Sequence, residues 1–358
     1  MLDSLRLHEL IFKKPAGTSR GVLHSKPSWI YTLVLHNGKE VSTEFPVIPG
    51  LSPEYIDHVH YEQNLRLFLD EALPHLQQWA QSAFKDDSIW QDLLQKWQNY
   101  PSFIFGIETL IFAVRADGNA VLFDTPFTQT QQTIPINGLV WMDTQINMRV
   151  QIQEKIAQGF KVVKLKIGAL QWPQERALIE EIRKHFNEQE ITIRVDANGA
   201  FSSDRAEEIL QELKNLSVHS IEQPIQAGQL DAMANLCQKA PIPIALDEEL
   251  IGVSDYDAKV YLLQQIRPQY IILKPSLHGG FCGVQDWIQI AESMQIGWWL
   301  TSALESSIGL NAIVQFGATY DLKLEQGFGT GGLYTNNLPS NLAIQNGQML
   351  WLNDPNKA

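Results

Sequence analysis

The stretch Val162-Val163-Lys164-Leu165-Lys166-Ile167 sets two lysines into an apolar run. The run reads as a strand, and side chains on a strand alternate between its two faces. Val163, Leu165 and Ile167 then point one way, and Lys164 and Lys166 point the other. Two ammonium groups on one face of a buried strand repel each other and lose hydration, so a fold keeps them only where negative charge sits opposite. The same stress is expected to lower a lysine pKa toward the range of a working base.

Suitable carboxylates follow downstream. Ile193-Arg194-Val195-Asp196, His219-Ser220-Ile221-Glu222 and Ile244-Ala245-Leu246-Asp247 each end a short apolar run, and Ile271-Ile272-Leu273-Lys274 ends in another lysine. From Lys166 to Asp196, Glu222, Asp247 and Lys274 the steps are 30, 26, 25 and 27 residues. A near-constant step of one strand, one helix and their loops puts these charges at equivalent points of a βα repeat. Strand-like runs begin near Ile136, Val162, Ile191, Val218, Ile242, Tyr270 and Trp298, and a weaker eighth precedes Gly327. Helical segments separate them. In residues 202–216, Ala206, Ile209, Leu210 and Leu213 stand at i, i+3, i+4 and i+7, with Ser202 or Ser203 as cap. About eight such alternations predict an α/β chain whose residues 131–334 form a (β/α)8-type barrel, a modified TIM barrel. An open doubly wound sheet shares the local pattern but usually has fewer units.

The first 130 residues read differently. Ile30-Tyr31-Thr32-Leu33-Val34-Leu35 followed by Asn37-Gly38 is a hairpin signal, and residues 54–114 are largely helical and rich in Leu, Trp and Gln. This predicts an α+β capping domain over 1–130. The segment 335–358, with Pro339 and Asn346-Gly347, is expected to return to that domain and complete it.

Composition narrows the partners. The 358 residues carry 27 basic and 40 acidic side chains, a net charge of −13, which argues against nucleic acid or an anionic membrane surface. Cys237 and Cys282 are the only cysteines, too few for a disulfide framework or a structural zinc site, and a reducing cytoplasm fits. The start, Met1-Leu2-Asp3-Ser4-Leu5-Arg6, lacks the plan of a signal peptide, and no apolar stretch is long enough to span a bilayer. The same net charge is compatible with an acidic metal site, though a soluble acidic surface explains most of it.

In a barrel the aliphatic residues of each run face the helices and the charged ones face inward. The charges lie at the C-terminal ends of their strands, where barrel active sites are built. Asp196, Glu222 and Asp247, from consecutive strands, make a hard all-oxygen site suited to Mg²⁺, with Mn²⁺ as the other fit. Lys166 falls on the second strand and Lys274 on the sixth, so they face each other across the mouth. One strand-end charge alone would read as a structural ion pair; five in register do not.

Lys164-x-Lys166, Asp196-Ala197-Asn198, Glu222-Gln223-Pro224, Asp247-Glu248 and Lys274-Pro275 together resemble the enolase superfamily, in its muconate lactonising enzyme subgroup. The resemblance runs over nearly the whole chain. Gly17-Thr18-Ser19-Arg20-Gly21 resembles that subgroup's capping loop, and Ile136-Asn137-Gly138-Leu139 its first barrel strand. Ser302-Ala303-Leu304-Glu305-Ser306 and Gly327-Phe328-Gly329-Thr330-Gly331 resemble its seventh and eighth strand ends. The resemblance implies Lys166 and Lys274 as catalytic residues and Asp196, Glu222 and Asp247 as metal ligands. It implies Lys164, Arg20, Ser19, Asn198, Ser302, Glu305 and Gly329 as substrate-binding residues. One departure is visible: Thr43-Glu44-Phe45 precedes Pro49-Gly50-Leu51-Ser52 where the family commonly has a Gly-Glu-Cys-like stretch. Glu44 keeps the acid but not the small neighbours, which puts the packing of the cap in question rather than the chemistry.

The implied chemistry is removal of a proton α to a carboxylate. One form is dehydration of a hydroxycyclohexadiene carboxylate, with Lys166 as base and then acid, and Lys274 as a cation over the ring. The other is racemisation or epimerisation, with one lysine per face. A dipeptide epimerase would be expected to carry Asp-x-Asp in the eighth-strand loop, where this chain has Gly329-Thr330-Gly331-Gly332. A barrel that had lost catalysis would lack a ligand or a lysine, and none is missing. Gly327, Gly329 and Gly332 match GxGxxG, but no clear helix follows and Pro339 comes soon after, so the stretch reads as a loop presenting backbone N–H groups to a substrate carboxylate. His58 and His60 have no third ligand at metal-like spacing.

Overall fold

Three antiparallel strands open the chain, β1 (Asp3–Thr18), β2 (Gly21–Val34) and β3 (Glu40–Pro46), in the order β1-β2-β3. The structure is a computed structural model that describes residues 3–18 and 21–354. The β2–β3 turn falls at Asn37-Gly38, where Gly38 takes a φ of 80° that a side chain would resist. Four helices cover this sheet: α1 (His58–Ala72), α2 (Leu76–Ala80), α3 (Ser88–Trp97) and α4 (Pro101–Arg115). Their core is aromatic, with Trp29, Phe45, Phe68, Trp79, Trp90 and Phe103 all buried. α4 is buried nearly all round because it lies between this sheet and the rest of the molecule. Gly106 makes that fit possible: a Cβ there would fall 2.3 Å from the Phe45 ring. Phe45 therefore occupies the room that the small residues near Glu44 would have left, against a glycine on the facing helix.

After β4 (Ile134–Pro135) the repeat begins. β5 (Gly138–Val140), β6 (Val162–Lys166), β7 (Thr192–Asp196), β8 (Ser220–Glu222), β9 (Ile244–Leu246), β10 (Tyr270–Leu273) and β11 (Gly297–Leu300) form one parallel sheet in sequential order. The helices that follow them are α5 (Gln145–Ala157), α6 (Trp172–His185), α7 (Ser203–Asn215), α8 (Leu230–Lys239), α9 (Tyr256–Ile266), α10 (Gly280–Ser293) and α11 (Ser307–Gly317). Single parallel bridges, Ile136 with Gln326 and Thr301 with Gly327, close the ring. The weak eighth run is thus reduced to two residues. Gln326 compensates with its side chain, whose Oε1 accepts from Leu300 N at 2.8 Å.

Alternation sorts the side chains as strand geometry requires. Val163, Leu165, Ile193, Val195, Ile221, Ile244, Leu246, Ile271 and Leu273 all join the core between strands and helices. The intervening Lys164, Lys166, Asp196 and Glu222 turn inward to a cavity. Below them Ala245, Ile272 and Trp299 form a small separate apolar cluster, and the Arg194 guanidinium lies 4.3 Å from the centre of the Trp299 ring.

The C-terminal segment departs from expectation. β12 (Leu342–Gln345) and β13 (Gln348–Trp351) form a hairpin about Asn346-Gly347 that pairs with β4, at the start of the barrel, rather than with the N-terminal sheet. Leu342, Met349 and Trp351 bury themselves in the barrel core, which is the physical reason. Residues 333–336 do return to the cap: Lys13 N donates to Leu333 O at 2.8 Å and Thr335 N to Ile11 O at 2.9 Å.

Two buried glutamates of the first 130 residues dock onto barrel helices. The Glu44 carboxylate accepts from Ser306 N (2.9 Å), Ser306 Oγ (2.6 Å) and Gly309 N (3.0 Å) at the start of α11. Glu108, on α4, accepts from Phe281 N and from Cys282 N (3.1 Å) at the start of α10. Helix N-termini carry unpaired N–H groups and partial positive charge, so each carboxylate is well matched to its position.

Candidate active site

The strand register brings the charged residues together. Lys166 is paired in register with Asp196 across β6 and β7, and Asp196 with Glu222 across β7 and β8. Lys166 Nζ donates to Asp196 Oδ2 at 2.6 Å and to Asn198 Oδ1 at 2.8 Å. Lys164 Nζ reaches Glu222 Oε2 at 2.5 Å and Asp196 Oδ2 at 2.9 Å. Across the mouth, Lys274 Nζ sits 2.5 Å from Asp247 Oδ1. All three carboxylates are essentially inaccessible to solvent.

The electrostatics correct one expectation. Burial pulls Lys164 down, but the carboxylates of Asp196 and Glu222 outweigh it and its pKa ends above the usual lysine value. Lys274 is raised on balance in the same way, burial being opposed chiefly by Asp247. Mutual repulsion of lysines therefore does not dominate here, because each ammonium has its carboxylate within ion-pair distance. Glu222 is the exception among the carboxylates: burial first, then the charge of Asp196, pushes it well above the ordinary range.

Loop backbone around the site is held in uncommon conformations. Asn198 (φ 45°) and Gln223 (φ 39°) are non-glycine residues in the left-handed region, a strain that clusters at functional sites. Asn198 is fixed at each end: its N–H donates to Asp196 Oδ1 (3.1 Å) and its Nδ2 to Glu248 Oε1 (2.9 Å). Gln223 Oε1 accepts from Asp247 N at 3.1 Å and Glu249 N at 3.2 Å, so it shapes the turn that carries Asp247. His278 Nδ1 accepts from Lys274 N at 3.0 Å, and burial pushes its imidazole pKa down to about 3, keeping the ring neutral.

Most of the charged side chains open onto a cavity of about 360 Å³ between the two regions; Asp247 is not among the residues that line it. Its floor holds Lys164, Lys166, Asp196, Asn198, Glu222 and Lys274; Ser302 and Gly329 form one wall, and Leu23, Ile48, Leu51 and Trp141 supply apolar surface. Polar groups converging in a largely apolar cavity of this size are what a small-molecule site requires. Glu305 is not on the cavity. It is fully buried behind Ser302, whose Oγ donates to it at 2.7 Å. Ser19 and Arg20 lie outside the described residues.

Among the described residues no trio of His, Cys, Asp or Glu is already gathered in metal-holding geometry. The donor chemistry nonetheless fits a hard divalent cation: Asp196, Glu222 and Asp247 offer only oxygen, and ammonium groups stand on each of them. Sequence reasoning gave no role to Glu248 and Glu249, nor to Gln223 and His278, although Gln223 and Glu248 stand in the motifs quoted above. The acidic run Asp247-Glu248-Glu249 was a usable signal for the first two; nothing local marked His278.

Known proteins resemble this chain closely. The family model described as "Enolase C-terminal domain-like" matches residues 147–355. The o-succinylbenzoate synthase of Desulfotalea psychrophila is 44% identical over 96% of this chain and 97% of its own length. The crystal structure of MenC from Desulfotalea psychrophila LSv54 superposes with a TM-score of 0.83 at 40% identity, covering 98% of this chain and 99% of that one. The L-Ala-D/L-Glu epimerase of Bacillus subtilis, in a substrate-liganded complex, has a TM-score of 0.81 at 18% identity over 98% of this chain and 96% of its own, and so shares the fold. The chain belongs to the enolase C-terminal domain-like family and, within it, to the o-succinylbenzoate synthase family.

Proposed function

We propose that this protein is an o-succinylbenzoate synthase, a hydro-lyase of menaquinone biosynthesis that converts 2-succinyl-6-hydroxy-2,4-cyclohexadiene-1-carboxylate to o-succinylbenzoate. The single observation that carries this reading is the near full-length identity to such a synthase. The site chemistry supports it. Asp196, Glu222 and Asp247 would hold Mg²⁺ or Mn²⁺. Bound there, the cation supplies positive charge against the substrate carboxylate and the enediolate formed from it.

The lysines divide the work by position. Lys166 removes the α-proton. Its partner in the structure is Asp196, and when that carboxylate is engaged elsewhere the Lys166 amine is freed to act as base. The electron pair left on the α-carbon delocalises into the carboxylate. Lys166, now an ammonium, then gives its proton to the departing hydroxyl on the same face. The C–O bond breaks, water leaves, and the ring becomes aromatic. Lys274, whose backbone N–H is fixed by His278 and whose ammonium rests on Asp247, supplies fixed positive charge from the opposite side and need transfer no proton. Lys164 bridges Asp196 and Glu222 and keeps the two carboxylates apart in charge. The apolar wall excludes water from the enediolate. Domain limits of 1–130 for the cap and 131–334 for the barrel remain our working division, with the last hairpin on the barrel side. We place the enzyme in the cytoplasm; among the described residues no helix is long and apolar enough to cross a membrane.

The test is direct: with the cyclohexadiene substrate and Mg²⁺, absorbance reports aromatisation, and absence of turnover sinks the assignment. A second reading has one observation in its favour, the placement of Lys166 and Lys274 on opposite sides of one cavity. That placement also suits a racemase of N-succinyl amino acids. In D₂O a racemase would exchange the α-hydrogen of either enantiomer, and exchange without aromatisation would favour it.

A further inference from the structure

Lys166 and Lys274 are held by different means. Lys166 lies within β6, in register with Asp196, and the ladder continues past it: Ile167 N donates to Asp196 O at 2.9 Å. Lys274 stands one residue beyond β10, where Thr301 N still donates to Leu273 O at 2.9 Å. Its own backbone groups are bonded by the turn that follows. The Lys274 carbonyl accepts from Leu277 N at 2.8 Å and from His278 N at 3.0 Å, and the Lys274 N–H donates to His278 Nδ1 at 3.0 Å. His278 therefore holds the peptides on both sides of the Lys274 Cα. With both peptides held, the direction in which the side chain leaves the backbone is fixed.

The imidazole is an unusual choice for this place. His278 is 4% exposed, and its ring lies beside that of Trp287 on α10, with centroids 6.4 Å apart. The ring is neutral and Nδ1 accepts, so the proton is on Nε2. Nε2 has no hydrogen-bond partner among the described residues. An apolar side chain of similar size would pack beside Trp287 without burying that nitrogen. What the imidazole adds is one acceptor at Lys274 N, a buried donor that would otherwise be orphaned. The other end of Lys274 is not a permanent anchor. Its Nζ rests on Asp247, which under the synthase reading also serves the divalent cation.

We propose that His278 is a positioning residue for the dehydration: by accepting from Lys274 N through Nδ1 and donating to Lys274 O from its backbone, it aims the Lys274 ammonium across the mouth of the barrel. The proposal rests on the synthase reading. It assigns to a side-chain acceptor in the turn after β10 the work that the strand ladder does for Lys166.

Three substitutions test this in the Mg²⁺-loaded enzyme with the cyclohexadiene substrate. His278→Asn puts Oδ1 where Nδ1 stood and keeps the acceptor. His278→Gln carries its oxygen one bond further out, toward the place of Nε2, and His278→Leu has no acceptor. All three lose the ring beside Trp287, so loss of packing is common to them. His278→Leu and His278→Gln are each expected to lower kcat about 10- to 100-fold with KM changed by less than about threefold, since a misplaced charge costs rate rather than binding. His278→Asn is expected to recover most of that loss. Any other ranking of kcat, equal values included, overturns the proposal, because a role in packing alone would not put asparagine first. If His278→Leu does not fold, His278→Gln against His278→Asn makes the same comparison; if His278→Gln also fails to fold, the role is structural and the proposal is overturned. Wild type that does not turn over the substrate defeats the synthase reading itself, whereas an active wild type with three equal variants defeats only the role of His278.

Discussion

In the barrel, buried charges stand on alternate positions of parallel strands and meet partners on nearby strands. Lys166 meets Asp196 30 residues on, Lys164 meets Glu222 58 residues on, and Lys274 meets Asp247 27 residues back. In the cap, Glu44 meets Ser306 across 262 residues and Glu108 meets Phe281 across 173. The partners differ in kind as well as in distance. Asp196, Glu222 and Asp247 are faced by ammonium groups, and the first two open onto a cavity; Glu44 and Glu108 are faced by backbone N–H groups at helix starts and are fully buried. The first arrangement can exchange partners when substrate arrives. The second fixes two domains against each other. Changes to the barrel charges should therefore alter rate more than stability, and changes to the cap charges the reverse.

The largest break in that comparison is expected at Lys166. Lys166→Ala removes the proposed acid–base group and should lower kcat by roughly 10³- to 10⁴-fold, near the upper end of what proton transfer contributes. Asp196 keeps Lys164 at 2.9 Å, so the fold should survive, and circular dichroism should match wild type. Near-normal turnover would move the base elsewhere. Chelation belongs beside it: EDTA should abolish turnover and Mg²⁺ or Mn²⁺ restore it, and full activity in metal-free buffer would refute a role for the three carboxylates as ligands.

Lys274→Arg should be milder. Arginine keeps the positive charge but is a poor base, so dehydration should fall about 10- to 100-fold rather than vanish, on the order of one lost positioned contact. Complete loss of activity in a folded Lys274→Arg would show that Lys274 transfers a proton, as the racemase reading requires.

The same contrast explains what could be read from sequence. Lys164, Lys166, Asp196 and Glu222 announce themselves because a period of two and a step near 27 residues are local or repetitive signals, and parity alone turns all four inward. Asp247 and Lys274, one residue past the ends of β9 and β10, keep the same register. The eighth strand was faint because only Gln326 and Gly327 form it, and the closing hydrogen bond comes from a side chain. Glu108 carried no such signal. A glutamate in an apolar helix is unremarkable until its partner, far along the chain, is known. The last hairpin was misplaced for the same reason: Asn346-Gly347 marks a turn but says nothing about which sheet receives it.

Glu44→Ala probes the cap side. It leaves Ser306 N, Gly309 N and the Ser28 hydroxyl without their shared acceptor in a buried place. Unsatisfied buried donors cost about 1–3 kcal/mol each, offset in part by no longer burying a carboxylate, so a net loss of about 3 kcal/mol is expected. The urea midpoint should fall clearly while KM and kcat of the folded fraction change little. A large fall in kcat without a stability change would mean that Glu44 belongs with the barrel charges.

The dependence of stability on pH, where the two glutamates involved leave turnover untouched, separates the two regions most cleanly. Burial raises Glu54 and Glu108 from 4.5 to about 7. Glu54 accepts from Ser102 N and Oγ at the start of α4, just as Glu108 serves α10. In the unfolded chain both ionise near the ordinary value. Between about pH 4.5 and 7 the folded protein therefore holds protons that the unfolded chain has released. Stability must fall as pH rises through that window, by at most about 3 kcal/mol for each group, and it is unaffected by these two above it. Glu54→Gln and Glu108→Gln cannot titrate, so each should flatten the fall of the urea midpoint between pH 5 and pH 8 relative to wild type. An unchanged slope in both variants would show that the cap glutamates are ionised throughout, held by their helix starts as firmly as the barrel carboxylates are held by lysine.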